Sequence, residues 1–277
     1  MTLVVDAGGT HLRAEIHSKN GLQEKLNEKS STVGLASWME TIIKDHSDIK
    51  TICISYAGQV KDGVIISAPN IKVDVHEIKE YFKDKYEISL FIENDLNCAV
   101  IAESTYLKEE DVCAIYIGTG LGLGVVSSGN LITGFSGVAT EIGHIAYKEA
   151  PFVCGCGKSN CIELFASGSA LDRWKKHKKI DPKLNLQDLK DTPEFSEIYK
   201  EFELALLYSV STAITLFNPK VVVLGGGIIE SNPQLESIIA SKIEEFAMPV
   251  ALRGVKIIKT KLNNAPIIGA LMLKDLR

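Results

Sequence analysis

The chain has 277 residues, with 30 Lys and Arg against 35 Asp and Glu, and so a formal charge of −5. Hydrophobic residues supply 45%, charged residues 23% and aromatic residues 7%, which excludes a disordered, collagen-like or coiled-coil chain. The acidic balance also argues against nucleic acid as a partner, because phosphate binding needs clustered cations. The one basic run, residues 175–179, reads as a solvated helix end.

The N-terminal run MTLVVDAGGT has no basic leader ahead of an apolar stretch, so no secretory signal is read there and a cytoplasmic location is expected. Residues 3–6 predict a strand closed by Gly8-Gly9. Alternation over 12–17 predicts a half-buried strand, and Asn20-Gly21 a hairpin turn. Helical spacing follows at 35–44, a buried strand at 51–55, an amphipathic helix at 74–86, a short strand at 90–93 and a helix over 95–107. The pattern then restarts with a strand at 114–117 closed by Gly118-Thr119-Gly120, an alternating strand at 121–125 and a turn at Gly129-Asn130. Residues 112–140 carry no charge, which is long enough for a membrane span. Their seven glycines and the turn signal at 127–130 favour buried strands and a loop instead, and no membrane partner is expected. A Cys/Gly-rich insert at 153–161 comes next, then helices near 168–178 and 193–217, with a surface loop and a short helical turn at 180–192 between them. A strand at 221–224 enters Gly225-Gly226-Gly227, and helices at 238–246 and 267–273 close the chain. Strand, glycine turn, alternating strand and hairpin thus occur twice. This predicts two related α/β halves, 1–105 and 106–277, with the last helix free to pack back on the first half.

Three groups of residues carry chemistry. Glycines after a strand let backbone N–H groups face an anion, and Asp6-Ala7-Gly8-Gly9-Thr10 adds a hydroxyl and a carboxylate able to hold Mg²⁺ or its waters. The run is neither a Walker A loop nor a Rossmann fingerprint, since no Gly-Lys-Ser/Thr follows and a strand, not a helix, comes next. Asp95, between a strand and a helix in Glu93-Asn94-Asp95, reads either as a helix cap or as a general base at a strand end. Finally, Glu141-Ile142-Gly143-His144 precedes Cys154, Cys156 and Cys161. Three Cys and one His form the four-ligand inventory of a structural Zn²⁺, which would fix Glu141 and Glu163 in position. Cys53, Cys98 and Cys113 sit singly in apolar runs and read as small buried thiols.

With Gly118-Thr119-Gly120 and Ala166-Ser167-Gly168, these motifs resemble the ROK family of bacterial glucokinases, other sugar kinases and sugar-responsive repressors, within the actin-like ATPase superfamily. The resemblance runs in order over residues 3–273. It implies two actin-like (ribonuclease H-like) α/β domains with an interdomain cleft for ATP and sugar, plus a zinc-binding loop. By position, Asp95 matches the catalytic base, and Asn94, Glu141, His144 and Glu163 match sugar-binding residues. Asn70, after Pro69, is a further candidate sugar contact. His144, Cys154, Cys156 and Cys161 match the zinc ligands. Gly8, Gly9, Thr10, Gly118 and Thr119 match the phosphate loops, and Gly226 and Gly227 the nucleotide site.

The chain departs from the family pattern at Ala57-Gly58-Gln59, His11, Leu123 and Asn160, which puts substrate choice in doubt without removing the base or a metal ligand. The expected activity is transfer of the ATP γ-phosphoryl group to a hexose, with O6 of glucose as the default acceptor. N-acetylmannosamine, N-acetylglucosamine, mannose and fructose stay open. A sugar-sensing regulator is the rival reading, although a phosphate strand at residue 3 leaves no room for a helix-turn-helix ahead of it. A catalytically silent zinc-bearing scaffold, or another actin-like ATPase, is the third. A homodimer is compatible with the resemblance.

Overall fold

The computed structural model describes residues 1–67 and 70–276. By packing, the chain divides into two compact units. One comprises Met1–Tyr106, Thr133–Ala139 and Leu262–Arg277; the other comprises Leu107–Ile132 and Thr140–Lys261.

The first unit opens with β1 (Thr2–Ala7), β2 (His11–Ser18) and β3 (Gly21–Lys29), an antiparallel meander. Gly21, at φ +101°, makes the tight turn into β3. The next elements are α1 (Leu35–Asp45), β4 (Thr51–Tyr56), the small hairpin β5 (Gln59–Lys61) and β6 (Val64–Ser67), α2 (Ile78–Tyr86), β7 (Ser89–Asn94) and α3 (Asp95–Leu107). The main sheet has the order β3-β2-β1-β4-β7, with β1, β4 and β7 parallel. Helix α2 begins at Ile78 rather than at 74 as its spacing predicts. Asp74 is used elsewhere: its carboxylate accepts from Ala36 N and Ser37 N, both at 2.9 Å, and so caps α1.

The second unit repeats the plan. β8 (Val112–Ile117), β9 (Leu121–Ser127) and β10 (Asn130–Leu131) form an antiparallel meander. Beyond it lie α4 (Gly168–His177), α5 (Leu186–Asp191), α6 (Ser196–Phe217), β11 (Val221–Gly225), α7 (Gly227–Ser231), α8 (Gln234–Lys242) and β12 (Lys256–Lys259). The sheet order is β10-β9-β8-β11-β12, with β8, β11 and β12 parallel. Three antiparallel strands followed by two parallel ones occur in both units, so the doubled sequence pattern corresponds to a doubled sheet. Among the described residues no helix is long and apolar enough to cross a membrane.

The last helix, α9 (Ala265–Met272), packs on β1 and β4 of the first unit. At Gly269 it approaches α3 so closely that a Cβ would overlap the backbone carbonyl of Cys98. Backbone on both sides leaves nothing to rotate away. Gly269→Ala is therefore expected to cost about 3 kcal/mol, the upper end for overpacking, read as a lowered urea midpoint.

Candidate functional site

In the first unit the polar residues cluster at the C-terminal end of the parallel strands. Asp6 of β1 is in register with Ser55 of β4, and Ser55 with Glu93 of β7, so the three share one row across the sheet. Ser55 donates to Asp6 Oδ1 at 3.3 Å, and the Arg13 guanidinium lies 3.5 Å from Oδ2. Burial pushes the Asp6 carboxyl above the usual range, opposed by Arg13 and Ser55. A desolvated carboxylate whose cation partner is largely in solvent fits a site for a divalent ion or its waters. Beside it, Gly8 N donates to His11 O at 3.1 Å, and Ser30 Oγ donates to Gly8 O at 2.6 Å. These two bonds fix the turn through Gly9 and the exposed Thr10.

One row further along, Asn94 follows Tyr56 in register. Its Nδ2 donates to Gly58 O at 3.1 Å, while Oδ1 accepts from Leu96 N at 2.9 Å and Asn97 N at 3.3 Å. Asn94 is thus the side chain that caps α3. Asp95, the first residue of the helix, accepts from Leu96 N at 2.9 Å. Asn70 is exposed in the turn after β6, at φ +73°. The adjoining Pro69 lies outside the described residues.

In the second unit the cysteines and histidine converge. One ligand atom from each of His144, Cys154, Cys156 and Cys161 lies within 4.8 Å of the others. His144 Nδ1 is 3.5 Å from Cys154 Sγ, and Cys156 Sγ is 3.3 Å from Cys161 Sγ. Tetrahedral Zn²⁺ with bonds of about 2.3 Å to sulfur and 2.0–2.1 Å to nitrogen has S···N edges of about 3.5 Å and S···S edges of about 3.8 Å. The four residues therefore fit that ion. The insert is shaped for it: Cys154 N donates to Lys158 O, Gly157 N to Cys154 O, and Gly157 takes φ +91°. A bridge between Ala146 and Cys161 ties the loop to the turn that bears His144.

That turn is a 3-10 helix, Ile142–His144, and a second, Ile162–Leu164, carries Glu163. With Nδ1 toward the sulfurs, His144 Nε2 is left 3.9 Å from Glu141 Oε2. Glu163 Oε2 accepts from Leu121 N at 3.1 Å, and its Oε1 lies 3.5 Å from Cys154 Sγ. Partial burial raises the Glu141 carboxyl above the usual range; His144 opposes the shift and Glu163 adds to it.

The two glycine turns of this unit are neighbours. Gly225 of β11 is in register with Tyr116 of β8, and a Cβ on Gly226, at φ +87°, would meet Ile117 O. Gly118 O accepts from Gly168 N at 2.8 Å and Thr119 O from Ser169 N at 3.2 Å, which docks the turn on the start of α4, capped by Ser167. Around Gly227 the space is open.

The predicted residues thus form two groups. Asp6, Gly8, Gly9, Thr10, Asn70, Asn94 and Asp95 belong to the first unit. Gly118, Thr119, Glu141, His144, Cys154, Cys156, Cys161, Glu163, Gly226 and Gly227 belong to the second. Sequence reasoning missed Ser55, Gly58 and Ser167 as supports. Ser55 was legible in principle, since it ends a buried strand where an apolar residue is expected.

The family model described as "ROK family" matches residues 2–275. A glucokinase of Thermotoga maritima is 27% identical over 301 aligned positions, covering 96% of this chain and 94% of that protein. The xylose repressor of Bacillus subtilis is 28% identical, covering 76% of this chain but 56% of its own length. Among solved structures, a ROK family glucokinase from Streptomyces griseus in complex with glucose and AMPPNP superposes with a TM-score of 0.79 at 23% identity, covering 99% of both chains.

Proposed function

This chain belongs to the ROK family, and from that premise we propose that it is an ATP-dependent sugar kinase, transferring the γ-phosphoryl group of ATP to a hexose hydroxyl, O6 of glucose by default. The observation that carries this reading is the convergence of Glu141, His144 and Glu163 on one corner, with Glu163 bonded to the backbone just after Gly118-Thr119-Gly120. Sugar-holding carboxylates and a phosphate-type turn are thereby built as one piece.

In the proposed reaction Asp95 takes the proton of the attacking hydroxyl, and Asn94, pinned by Gly58, holds a neighbouring one. Glu141, His144 Nε2 and Glu163 accept and donate to further hydroxyls. Asn70 is the remaining proposed sugar contact. The glycine turns at 8–10, 118–120 and 225–227 present N–H groups to phosphate oxygens, and Asp6 would hold Mg²⁺ or its waters. Positioning and electrostatics supply most of the acceleration in such transfers. The Cys₃His set would hold Zn²⁺ with all four positions filled by protein, so its contribution is to orient His144 and Glu163.

A coupled ADP-release assay with Mg-ATP against glucose, mannose, fructose, N-acetylmannosamine and N-acetylglucosamine tests the reading. Release with glucose is expected; no release with any of the five overturns it. Because the repressor relative matches over 56% of its own length, sugar binding without phosphorylation would favour the regulator reading. Glu163→Gln is expected to raise the sugar KM about tenfold, roughly 1.4 kcal/mol, with kcat changed less and zinc content intact, since it removes a contact made in both ground and transition states.

A further inference from the structure

Between α4 and α6 the second unit holds a cavity of about 190 Å³ that no step above uses. Its floor is Phe165, Ile198 and Phe202, all buried, and one wall is the indole of Trp174. The indole N–H is already committed to Leu164 O at 2.9 Å, so the ring offers the cavity only an apolar surface. Pockets for drug-sized ligands run to about 300–1,000 Å³, so this one suits a molecule the size of a single amino acid.

The charged groups at its mouth are not equivalent. Glu201 is satisfied: it accepts from Tyr147 Oη at 2.6 Å and from Lys148 Nζ at 2.8 Å. Glu197 and Lys178 remain, one of each sign, and neither has an ion-pair partner among the described residues. An apolar floor beneath one unpaired anion and one unpaired cation calls for an apolar body that carries both charges.

We propose that this cavity is a binding site for a free, zwitterionic α-amino acid with an apolar side chain. The side chain lies against Phe165, Phe202 and Trp174, the ammonium group meets Glu197, and the carboxylate meets Lys178. A single charge on the ligand would leave one rim group unmatched, which sets amino acids apart from simple amines and carboxylic acids of the same shape.

Trp174 makes the site readable. The chain has two tryptophans, and the other, Trp38, lies in the first unit. In a Trp38→Phe protein, emission comes from the cavity wall alone. L-phenylalanine and L-leucine are expected to produce a saturable change with a Kd on the order of 1 mM or below. Phenethylamine and phenylacetate, each lacking one charge, should bind at least fivefold more weakly. Glu197→Gln and Lys178→Gln, both exposed positions that leave the core intact, should each weaken phenylalanine about fivefold. No saturable change with either amino acid, or phenethylamine or phenylacetate binding as tightly as phenylalanine, overturns the proposal. The readout involves neither sugar nor ATP, so it is independent of the kinase assay.

Discussion

Asp95→Asn is expected to lower kcat by roughly 10³-fold or more while leaving the sugar Kd within about twofold of the unaltered protein. Asparagine keeps the shape of the side chain and an oxygen for Leu96 N, the contact Asp95 makes at 2.9 Å. The start of α3 is also held independently, because Asn94 Oδ1 accepts from Leu96 N and Asn97 N. What disappears is the charge that, in the proposed reaction, accepts the hydroxyl proton. Turnover by the coupled assay and sugar affinity by calorimetry separate the two effects. Near-normal turnover would remove Asp95 from the catalytic role.

The second large effect concerns the metal. Gently purified protein is expected to contain one zinc per chain by elemental analysis, and stripping it, or making Cys161→Ser, should lower the melting temperature by roughly 8–16 °C. An ion present at about a thousand times its Kd stabilises by about 4 kcal/mol, and a domain of 150–250 residues shifts by roughly 2–4 °C per kcal/mol. Cys161 is the sharpest choice because it is fully buried and its segment is bridged to Ala146. Sugar affinity should fall in parallel, since His144 and Glu163 both touch Cys154. Protein without zinc and with an unchanged melting curve would contradict the assignment.

Much of this was legible in the amino-acid order because the informative residues act locally. Glycine runs mark the ends of β1, β8 and β11, and the close spacing of Cys154, Cys156 and Cys161 forces them together whatever surrounds them. The start of α3 at Asp95 agrees with its apolar spacing. Of the two readings open for Asp95, the cap falls to its neighbour Asn94, which spacing could not decide because both residues are good caps. Strand β3 escaped notice for a different reason. GLQEKLNEK carries no burial pattern of its own, lies at a sheet edge and takes its register from β2. The strand β12 likewise depends on a partner distant in sequence, β11. Nor could spacing reveal that Asp74, which looks like the start of α2, serves α1.

The backbone of Leu121 has a consequence for how this chain can change. Its N–H is taken by Glu163, its carbonyl lies where any side chain on Gly143 would have to go, and the Glu163 carboxylate fills the place of a side chain on Gly120. Three motifs far apart in the order of residues therefore meet at the backbone of one residue. Drift at Gly120 would displace the Glu163 carboxylate and so, in the proposed function, reach the sugar side as well as the phosphate turn. Gly120, Gly143 and Glu163 should accordingly be inherited as a block, with exchange at any one of them tolerated only alongside the others.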